Sequence, residues 1–249
     1  MTGPSRRGLL VGASGLVASR AFAFGATSRV DLCEIDLGAG TLSRPGAWKR
    51  LLYEIAGTTS VECEPRTVRL PPEDPALFEH PFSVLVGDGA FAVPSDAALE
   101  QLSRYLSYGG FLLIDDTTGS DRSPFDASAR DLVNRLYPTR PLGPLPTDHS
   151  VFRSFFLLKE PLGRVDRFDF LEGVTSDNST PLVYSRNDLS GALDRGADGR
   201  SVHPCVPGGE EQRREAVKLG INLVLYALTS NYKKDQAHVR QLMKEGRLE

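Results

Sequence analysis

The sequence predicts a three-layer α/β/α sandwich built around a mostly parallel sheet. Short apolar segments alternate with amphipathic segments of about ten to fifteen residues, which is the pattern of repeated βαβ units. The central segment Phe111–Ile114 is apolar without alternation, as expected for a parallel strand that is covered on both faces. Because such crossovers are right-handed, they place helices on both faces of the sheet.

The first strands and the helix between them follow from residue periodicity. Val30–Leu37 alternates apolar and polar residues, which is the period of a strand. Arg44–Ala56 carries apolar residues from Trp48 to Ile55 at helical spacing, so we predict a helix there. Val61–Leu70 is predicted to be extended, because two prolines end it.

The centre of the chain continues the alternation of strand and helix. Phe82–Val86 is a short apolar strand that ends at a Gly-Asp-Gly turn. Ser95–Tyr108 begins with a good N-cap and ends at a glycine pair, so it is predicted to be a helix. Phe111–Ile114 follows as the next strand, and Asp126–Tyr137 as the next helix.

The second half of the chain is less regular. Val151–Leu158 and Thr180–Ser185 are predicted strands, and Asp194–Gly209 is a predicted long loop. Glu211–Thr229 is apolar nearly all round and predicts a buried helix. Its uninterrupted apolar part is too short for a membrane span, so we predict no stable span. Lys233–Glu249 is expected to form a polar helix or a frayed end.

The N-terminus has the features of an export signal. The pair Arg6–Arg7 precedes a weakly apolar stretch, Leu9–Ala18, and Ala21–Ala23 then matches a small-x-small cleavage site. The paired arginines resemble the twin-arginine signal, which implies export of a folded protein to a bacterial periplasm. We therefore predict a signal peptide at residues 1–23 and one domain at 24–249. The alternative is a disordered N-terminus that happens to carry two arginines.

The charge balance argues against a nucleic-acid partner. The 249 residues include 29 basic and 32 acidic side chains, for a formal net charge of −3. Removing the predicted signal, which contains three arginines and no acid, changes the net charge to −6, since 29 − 3 = 26 basic residues then face 32 acidic ones. Binding to phosphates requires a basic surface, so we predict no nucleic acid as partner.

The three cysteines do not form a recognisable motif. Cys33, Cys63 and Cys205 include no C-x-x-C pair, which excludes a zinc ribbon and a thioredoxin-type site. Cys33 and Cys63 fall in the first two predicted strands, and an oxidising compartment would permit a disulfide between them. Two buried, unpaired thiols are the commoner arrangement, and we favour it.

Two carboxylates at the end of the central strand form the first candidate site. Asp115 and Asp116 follow the apolar run, at the edge where open α/β sheets bind their ligands. They are available as metal ligands or as acid and base. The alternative is turn chemistry and helix capping, which aspartate also favours. Since adjacent strand residues point to opposite faces, only one of them is expected to enter a crevice.

Three further residues are candidates for the same crevice. If the predicted strand is extended, His149 and Arg153 face the same way and suit an anionic group. Alternatively, Arg153 forms a structural ion pair with Asp115 or Asp116. Asp188 follows the strand Thr180–Ser185, where it serves either the crevice or an ordinary turn or N-cap.

Five segments in order resemble a known family. They are RPGAWKRLLYEIAGTTSVE, LSRYLSYGGFLLIDD, DHSVFRSFF, LVYSRNDLSGAL and KLGINLVLYAL, and they span Arg44–Leu228. Together they resemble an uncharacterised bacterial family related to the class I glutamine amidotransferase-like superfamily, near the trehalose-utilisation-type proteins. The resemblance implies a flavodoxin-like fold. In true amidotransferases a nucleophilic cysteine follows the strand that matches Phe111–Ile114, whereas Asp115–Thr117 stands here, so the resemblance does not imply amidotransferase activity.

These observations lead to two functional hypotheses. The first is an exported, non-enzymatic binding or assembly module whose crevice recognises an envelope protein or a polar cell-wall ligand. The second is a periplasmic hydrolase that uses Asp115 or Asp116 with His149 and Asp188 and takes a divalent metal in one version. No cofactor motif and no compact set of metal ligands is found in the sequence, so we predict neither a cofactor nor a metal.

Overall fold

The computed structural model describes residues 29–176 and 179–244, without the side chains of residues 176 and 231–244. The predicted signal peptide therefore lies outside the described residues. The strands are Val30–Ile35 (β1), Thr41–Leu42 (β2), Cys63–Leu70 (β3), Phe82–Gly87 (β4), Phe111–Asp116 (β5), Gly143–Pro144 (β6), Glu172–Ser176 (β7) and Ser179–Ser185 (β8). The α-helices are Pro45–Thr58 (α1), Asp96–Ser107 (α2), Pro124–Leu136 (α3), Leu189–Leu193 (α4) and Gly209–Lys244 (α5). Short 3-10 helices lie at Pro75–Glu79 and Ser150–Arg153.

The eight strands form one sheet whose order is β3-β1-β4-β5-β8-β7-β6, with β2 paired to β4. The first five strands of this order are parallel. Their order is the 2-1-3-4-5 order of flavodoxin-like folds. β7 and β6 extend one edge of the sheet in antiparallel pairing. The predicted fold class, a mostly parallel α/β/α sandwich, is confirmed.

Helices cover both faces of the sheet, because successive side chains of the central strands alternate between two apolar layers. Leu113 packs with α1, α4 and α5 in one layer. Leu112 and Ile114 pack with α2 and α3 in the other layer. Both helices of the second layer begin at serine N-caps, since Ser95, at the predicted cap, accepts from the Ala98 amide and Ser123 accepts from two amides of α3. Within the described residues, no helix is both long and apolar enough to cross a membrane.

The chain itself occupies the point where the strand order reverses. In flavodoxin-like folds this point lies between β1 and β4, and ligands bind outside the carboxyl ends of these two strands. Here the segment after β1 turns back, and β2 pairs antiparallel with the end of β4. The Gly40 carbonyl accepts bonds from the Asp88 and Gly89 amides, both at 3.3 Å. A Cβ atom on Gly87 would lie 2.3 Å from the Phe125 ring, so this crevice is filled.

One predicted strand is wrong. Within Val151–Leu158, the first residues continue the 3-10 helix Ser150–Arg153 and the rest form a loop. The His149 ring accepts from the Val151 amide and begins the 3-10 turn. The backbone of the loop bonds to the side chain of Asn222 in α5 instead of to a neighbouring strand. The hydrogen bonds that a neighbouring strand would make with this segment are thus made by Asn222, which is distant in sequence.

Other differences concern short elements and element ends. The predicted helix Glu211–Thr229 is longer at both ends, and α5 continues into the predicted tail as far as Lys244. Residue periodicity does not predict β2, β6, β7 or α4, because each is only two to five residues long. The three cysteines are free, as favoured from the sequence for Cys33 and Cys63, although Cys63 is half-buried and not buried.

A glycine substitution tests the closed crevice. Gly40 has φ +86°, and a Cβ atom there would lie 2.2 Å from the Ala90 carbonyl oxygen. We expect Gly40→Ala to lower the free energy of unfolding by about 2–4 kcal/mol, because left-handed backbone strain and overpacking add. Gly38→Ala is the matched control, since Gly38 has φ +77° but open space around it, and should cost only about 1–2 kcal/mol. Equal losses in urea unfolding of the two variants would contradict a filled crevice.

Candidate functional site

The two aspartates at the end of β5 point to opposite faces of the sheet, as predicted from strand geometry. Asp115 continues the face of Leu113, towards α4, and Asp116 continues the face of Ile114, towards α3. Both side chains are fully buried. Each therefore has to be explained by the groups that replace water around it.

Asp115 holds the start of α4. Its two carboxylate oxygens accept from the backbone amides of Leu189, at 2.8 Å, and Ser190, at 2.7 Å. These amides have no partner within the helix, so a carboxylate at this end is favourable. Burial, reinforced by the charge of Asp188, nevertheless raises the pKa of the Asp115 carboxyl to about 6. The side chain is an internal cap with a carboxyl group that binds protons near neutral pH.

Asp188 is the most constrained residue of this cluster. With φ 54° it is the one non-glycine residue with positive φ in the described part of the chain. It lies in the tight turn from β8 to α4, where its carboxylate accepts from the Gly191 amide at 2.9 Å. A Cβ atom at Gly191 would lie 2.3 Å from that carboxylate, so nothing larger than glycine fits. Such strain persists only where the surrounding contacts determine it fully.

Two arginines from distant parts of the chain close the cluster. The Arg44 guanidinium donates from Nη1 to one oxygen of Asp188 at 2.7 Å, and the Arg164 Nε donates to the other. Arg44 is itself held in place because its backbone amide donates to the buried Glu34 carboxylate at 2.6 Å. The Arg164 amide donates to the Asp188 carbonyl at 2.9 Å. The carboxylate of Asp188 is thereby enclosed between two cations.

The segment 161–168 forms a cover over this edge of the sheet. The buried Asn187 side chain donates to the carbonyls of Pro161, at 2.9 Å, and Phe168, at 2.7 Å. Its oxygen accepts from the Arg167 and Phe168 amides, both at 3.1 Å. A Cβ atom at Gly163 would lie 2.0 Å from the Asn187 carbonyl oxygen. The cover is therefore in close backbone contact with the turn that carries Asp188.

Asp116 belongs to a second polar network on the opposite face. One oxygen accepts from the Thr118 amide at 2.8 Å, which is an Asx turn. The Tyr184 hydroxyl lies 3.4 Å from its other oxygen and donates to Asp126 at 3.0 Å. Burial and these two carboxylates raise the pKa of the Tyr184 hydroxyl. The turn-forming role that aspartate favours is thus the one that Asp116 has in the structure.

Arg130 completes the second network. It contacts Asp126 through Nε at 3.1 Å and forms a bidentate pair with Glu172, at 3.0 and 2.8 Å. The hydrogen bond to Glu172 is the main reason why the pKa of the Arg130 guanidinium is raised. These contacts fix α3 against β7 and leave the carboxylates paired.

His149 and Arg153 lie elsewhere in the molecule. The His149 ring accepts from the Val151 amide at 3.2 Å and lies 3.0 Å from the Thr180 hydroxyl. Thr180 stands at the start of β8, about 17 Å along the strand from Ser185, the residue that pairs with Asp115. Burial lowers the pKa of the His149 imidazole, and Asp148 partly opposes this. Arg153 is exposed at the end of the 3-10 helix.

The structure therefore brings together Asp115 and Asp188 on one face, with Asp116 behind them, and leaves His149 and Arg153 at the other end of the sheet. The predicted pairing of Arg153 with Asp115 or Asp116 does not occur. Arg44 and Arg164 take this role with Asp188 instead. No local pattern could have identified them, because they lie 144 and 24 residues from their partner in sequence.

The cluster does not resemble a metal centre. Within residues 29–176 and 179–244, no group of three or more His, Cys, Asp or Glu side chains is placed to hold a metal ion. The oxygens of Asp115 and Asp188 already accept from amide and guanidinium donors. A cation at this position would have to displace two arginines of its own charge sign.

Comparison with known proteins identifies a family but no activity. A family model described as a domain of unknown function (DUF4159) matches residues 32–228, which is most of the chain. No curated protein matches the sequence.

The raised pKa of Asp115 predicts a specific pH dependence. Below its ordinary pKa near 4 the carboxyl is protonated in both states, whereas above 6 the folded state must hold it ionised and buried. Stability from this group is therefore greatest at low pH and falls as the pH rises from about 4 to 6, by about 3 kcal/mol. In urea titrations, the unfolding free energy of the wild type should fall relative to that of Asp115→Asn as the pH rises across this window.

Asp36→Asn is a control of opposite sign for this experiment. The Gly38 amide and Arg69 lower the pKa of the Asp36 carboxyl, so its contribution is lost as the pH falls below about 4. A difference in unfolding free energy between wild type and Asp115→Asn that stays constant between pH 4 and 6 would contradict the raised pKa of Asp115.

The ion cluster around Asp188 predicts a large loss of stability. Asp188→Asn leaves Arg44 and Arg164 close together without their shared carboxylate, and we expect a loss of about 3–5 kcal/mol in chemical unfolding. The control is Asp198→Asn, because Asp198 pairs with Arg200 on the surface, with 62% and 88% of the side chains exposed. That variant should change stability by less than about 0.5 kcal/mol. Similar losses for both would show that the cluster is not the main constraint on this edge.

Proposed function

The chain belongs to the DUF4159 family, whose function is unknown, and we propose that it is an exported binding or assembly module of the cell envelope. In this proposal it has a glutamine amidotransferase-like fold without amidotransferase activity. It acts by contact with an envelope protein or a polar cell-wall ligand. The observation that carries the proposal is the closure of the carboxyl edge of the sheet, where enzymes of this architecture place their reactive groups.

Closure of this edge argues against catalysis by the acids. A general acid or base must reach the reacting group, directly or through one water molecule. Asp115, Asp116 and Asp188 are fully buried, and their oxygens bond to backbone amides, a tyrosine and two arginines. The segment 161–168 covers the turn from β8 to α4. These carboxylates therefore stabilise the edge and leave recognition to the outer surface.

The cysteines support the non-enzymatic proposal. An amidotransferase needs a thiolate at the end of the strand that corresponds to β5, and this place holds Asp115 and Asp116. Burial raises the pKa of Cys33 to about 12 and that of Cys63 to about 11. Both groups are thus neutral thiols at physiological pH, and thiols are poor nucleophiles.

The proposed location rests on the N-terminal sequence. A twin-arginine-type signal followed by a cleavage site implies that the chain is exported after folding. A charge balance of 26 basic and 32 acidic residues beyond that signal, from 29 − 3 and 32, fits a polar envelope ligand or a protein better than nucleic acid. Periplasmic localisation is therefore part of the proposal.

One observation favours a hydrolase as the second candidate. Asp188 has a strained backbone in a sharp strand-to-helix turn, and strained turns of this kind carry nucleophiles in α/β-hydrolases. For this candidate, the cover at 161–168 and both arginines would have to move away from Asp188. His149 would need a separate role, since it lies at the other end of β8.

Activity and binding assays separate the two candidates. The purified protein is assayed with ester, amide, glycoside and phosphate substrates, with and without Mg²⁺, Mn²⁺, Ca²⁺ or Zn²⁺. We expect no hydrolysis that depends on Asp116, so Asp116→Asn should abolish no activity. A peptidoglycan fragment that binds the outer surface should stabilise wild type and Asp116→Asn equally, by about 2.7 kcal/mol at 100-fold its dissociation constant. Robust hydrolysis that disappears in Asp116→Asn but persists in the surface control Asp198→Asn would refute the binding-module proposal.

A further inference from the structure

The loop that follows the second 3-10 helix, residues 154–158, exposes two large apolar side chains. Phe155 is 47% exposed and Leu157 is 88% exposed. Leu157 has the highest exposed fraction among the large apolar residues of the described chain. Between them, Phe156 is half-buried and packs on the core beside α5. The centres of the Phe155 and Phe156 rings lie 4.8 Å apart in an edge-to-face arrangement. Two large exposed apolar side chains in one short loop are candidates for a site of interaction.

The exposure of this loop is fixed by a buried polar clamp. Asn222, fully buried within the apolar part of α5, accepts from the Phe155 amide at 3.2 Å and from the Phe156 amide at 2.8 Å. It donates to the carbonyls of Val151, at 2.9 Å, and Phe156, at 2.8 Å. The asparagine is thus fully satisfied by the backbone that it holds. The loop keeps one conformation in which Phe155 and Leu157 point away from the core.

Basic side chains flank the apolar pair. Arg153 and Lys159 are both exposed, one on each side of the loop. The Lys218 ammonium lies 5.8 Å from the centre of the Phe156 ring and pairs with Glu215 at 2.6 Å. The other acids nearby in sequence are Asp148 and Glu160, and both are exposed. Lys218 is thus paired, and the exposed cations on the two sides of the apolar pair are Arg153 and Lys159.

The exposed area distinguishes between two kinds of partner. Phe155 and Leu157 expose roughly 250 Å², taking about 200 Å² for a large apolar side chain. A stable protein interface of about 800 Å² on each side would have to extend well beyond these two side chains. Reversible attachment to a bilayer needs only a few apolar groups at the headgroup boundary together with cations near anionic lipids. The exposed apolar pair and the cation on each side of it fit a lipid surface.

We propose that the 154–158 loop attaches the protein to the surface of an anionic phospholipid bilayer. Phe155 and Leu157 enter the boundary between headgroups and acyl chains, and Arg153 and Lys159 contact the lipid phosphates. Asn222 positions the loop for insertion and does not contact lipid. This inference rests on the proposed envelope function and names the surface through which the module acts.

Vesicle sedimentation tests the inference with the full chain. Wild type should partition onto vesicles of phosphatidylglycerol and phosphatidylcholine in equal amounts, and much less onto phosphatidylcholine alone. Phe155→Ser combined with Leu157→Ser should lower the partition coefficient about a hundredfold, about tenfold for each side chain kept in water. Arg153→Gln combined with Lys159→Gln should lower it about thirtyfold on anionic vesicles, about fivefold for each charge.

Tyr53→Ser combined with Tyr108→Ser is the matched control. These tyrosines are 72% and 68% exposed on α1 and at the end of α2, so the variant loses similar exposed area away from the loop. Its partitioning should equal that of wild type. All variants carry the same N-terminal segment, so lipid binding by that segment cancels in the comparison. Equal partitioning of wild type and the Phe155→Ser, Leu157→Ser variant would overturn the proposal.

A fluorescence measurement reports on the loop directly. The single tryptophan, Trp48, is fully buried, so Leu157→Trp adds one indole at the tip of the loop. Its emission should shift to shorter wavelength on anionic vesicles and be quenched by brominated acyl chains, whereas that of wild type should not change. An unchanged emission would overturn the lipid proposal, and loop-dependent self-association of the protein without vesicle binding would assign the loop to a protein partner.

The two proposals fail in different experiments. Loss of vesicle binding leaves the closed acid cluster and the absence of hydrolysis unaffected, so the binding-module proposal would stand with another surface. Hydrolysis that depends on Asp116 would refute the binding module, even if the loop binds lipid.

Discussion

The buried carboxylate of Asp188 is the constraint on which the carboxyl edge of the sheet depends. A full charge in the interior is tolerated only when partners replace water completely. Asp188 has Arg44 from the start of α1, Arg164 from the cover segment and the Gly191 amide from α4. Each partner comes from a different part of the chain. One side chain therefore fixes the relative position of a helix, a loop and a turn.

The same contacts determine what this edge can do. In open α/β folds the carboxyl ends of the strands are where ligands bind, because loops of variable length meet there. In this protein β2 fills the gap between β1 and β4, and the segment 161–168 covers the end of β8. Among the acids that resemble a reactive site, Asp188 is bonded to Arg164 of the cover itself, and Asp115 is bonded to the backbone of α4. Polar residues at a strand end thus stabilise closure here, and closure directs recognition to the outside.

At the other end of the sheet, a buried polar side chain holds a loop in an exposed conformation instead of closing an edge. Asn222 lies in an apolar helix, and its four hydrogen bonds go to the backbone of the 151–156 segment. Where Asp188 draws segments inward over the sheet, Asn222 holds a loop so that Phe155 and Leu157 stay exposed. In both places a fully satisfied buried side chain specifies the conformation of irregular backbone, which apolar packing alone does not specify.

The sequence by itself determined the fold class, most of the main strands and helices, and the opposite orientation of Asp115 and Asp116. These features follow from short-range periodicity, since the period of two or 3.6 residues and the caps at Ser95 and Ser123 act within a few residues. The tertiary structure alone decided that the segment at Val151 is not a strand, that His149 and Arg153 lie far from the acids, and that Arg44 and Arg164 enclose Asp188. Each of these outcomes depends on contacts between residues 24 to 144 positions apart. Local pattern carries no information about such contacts, because they form only when the layers of the fold pack together.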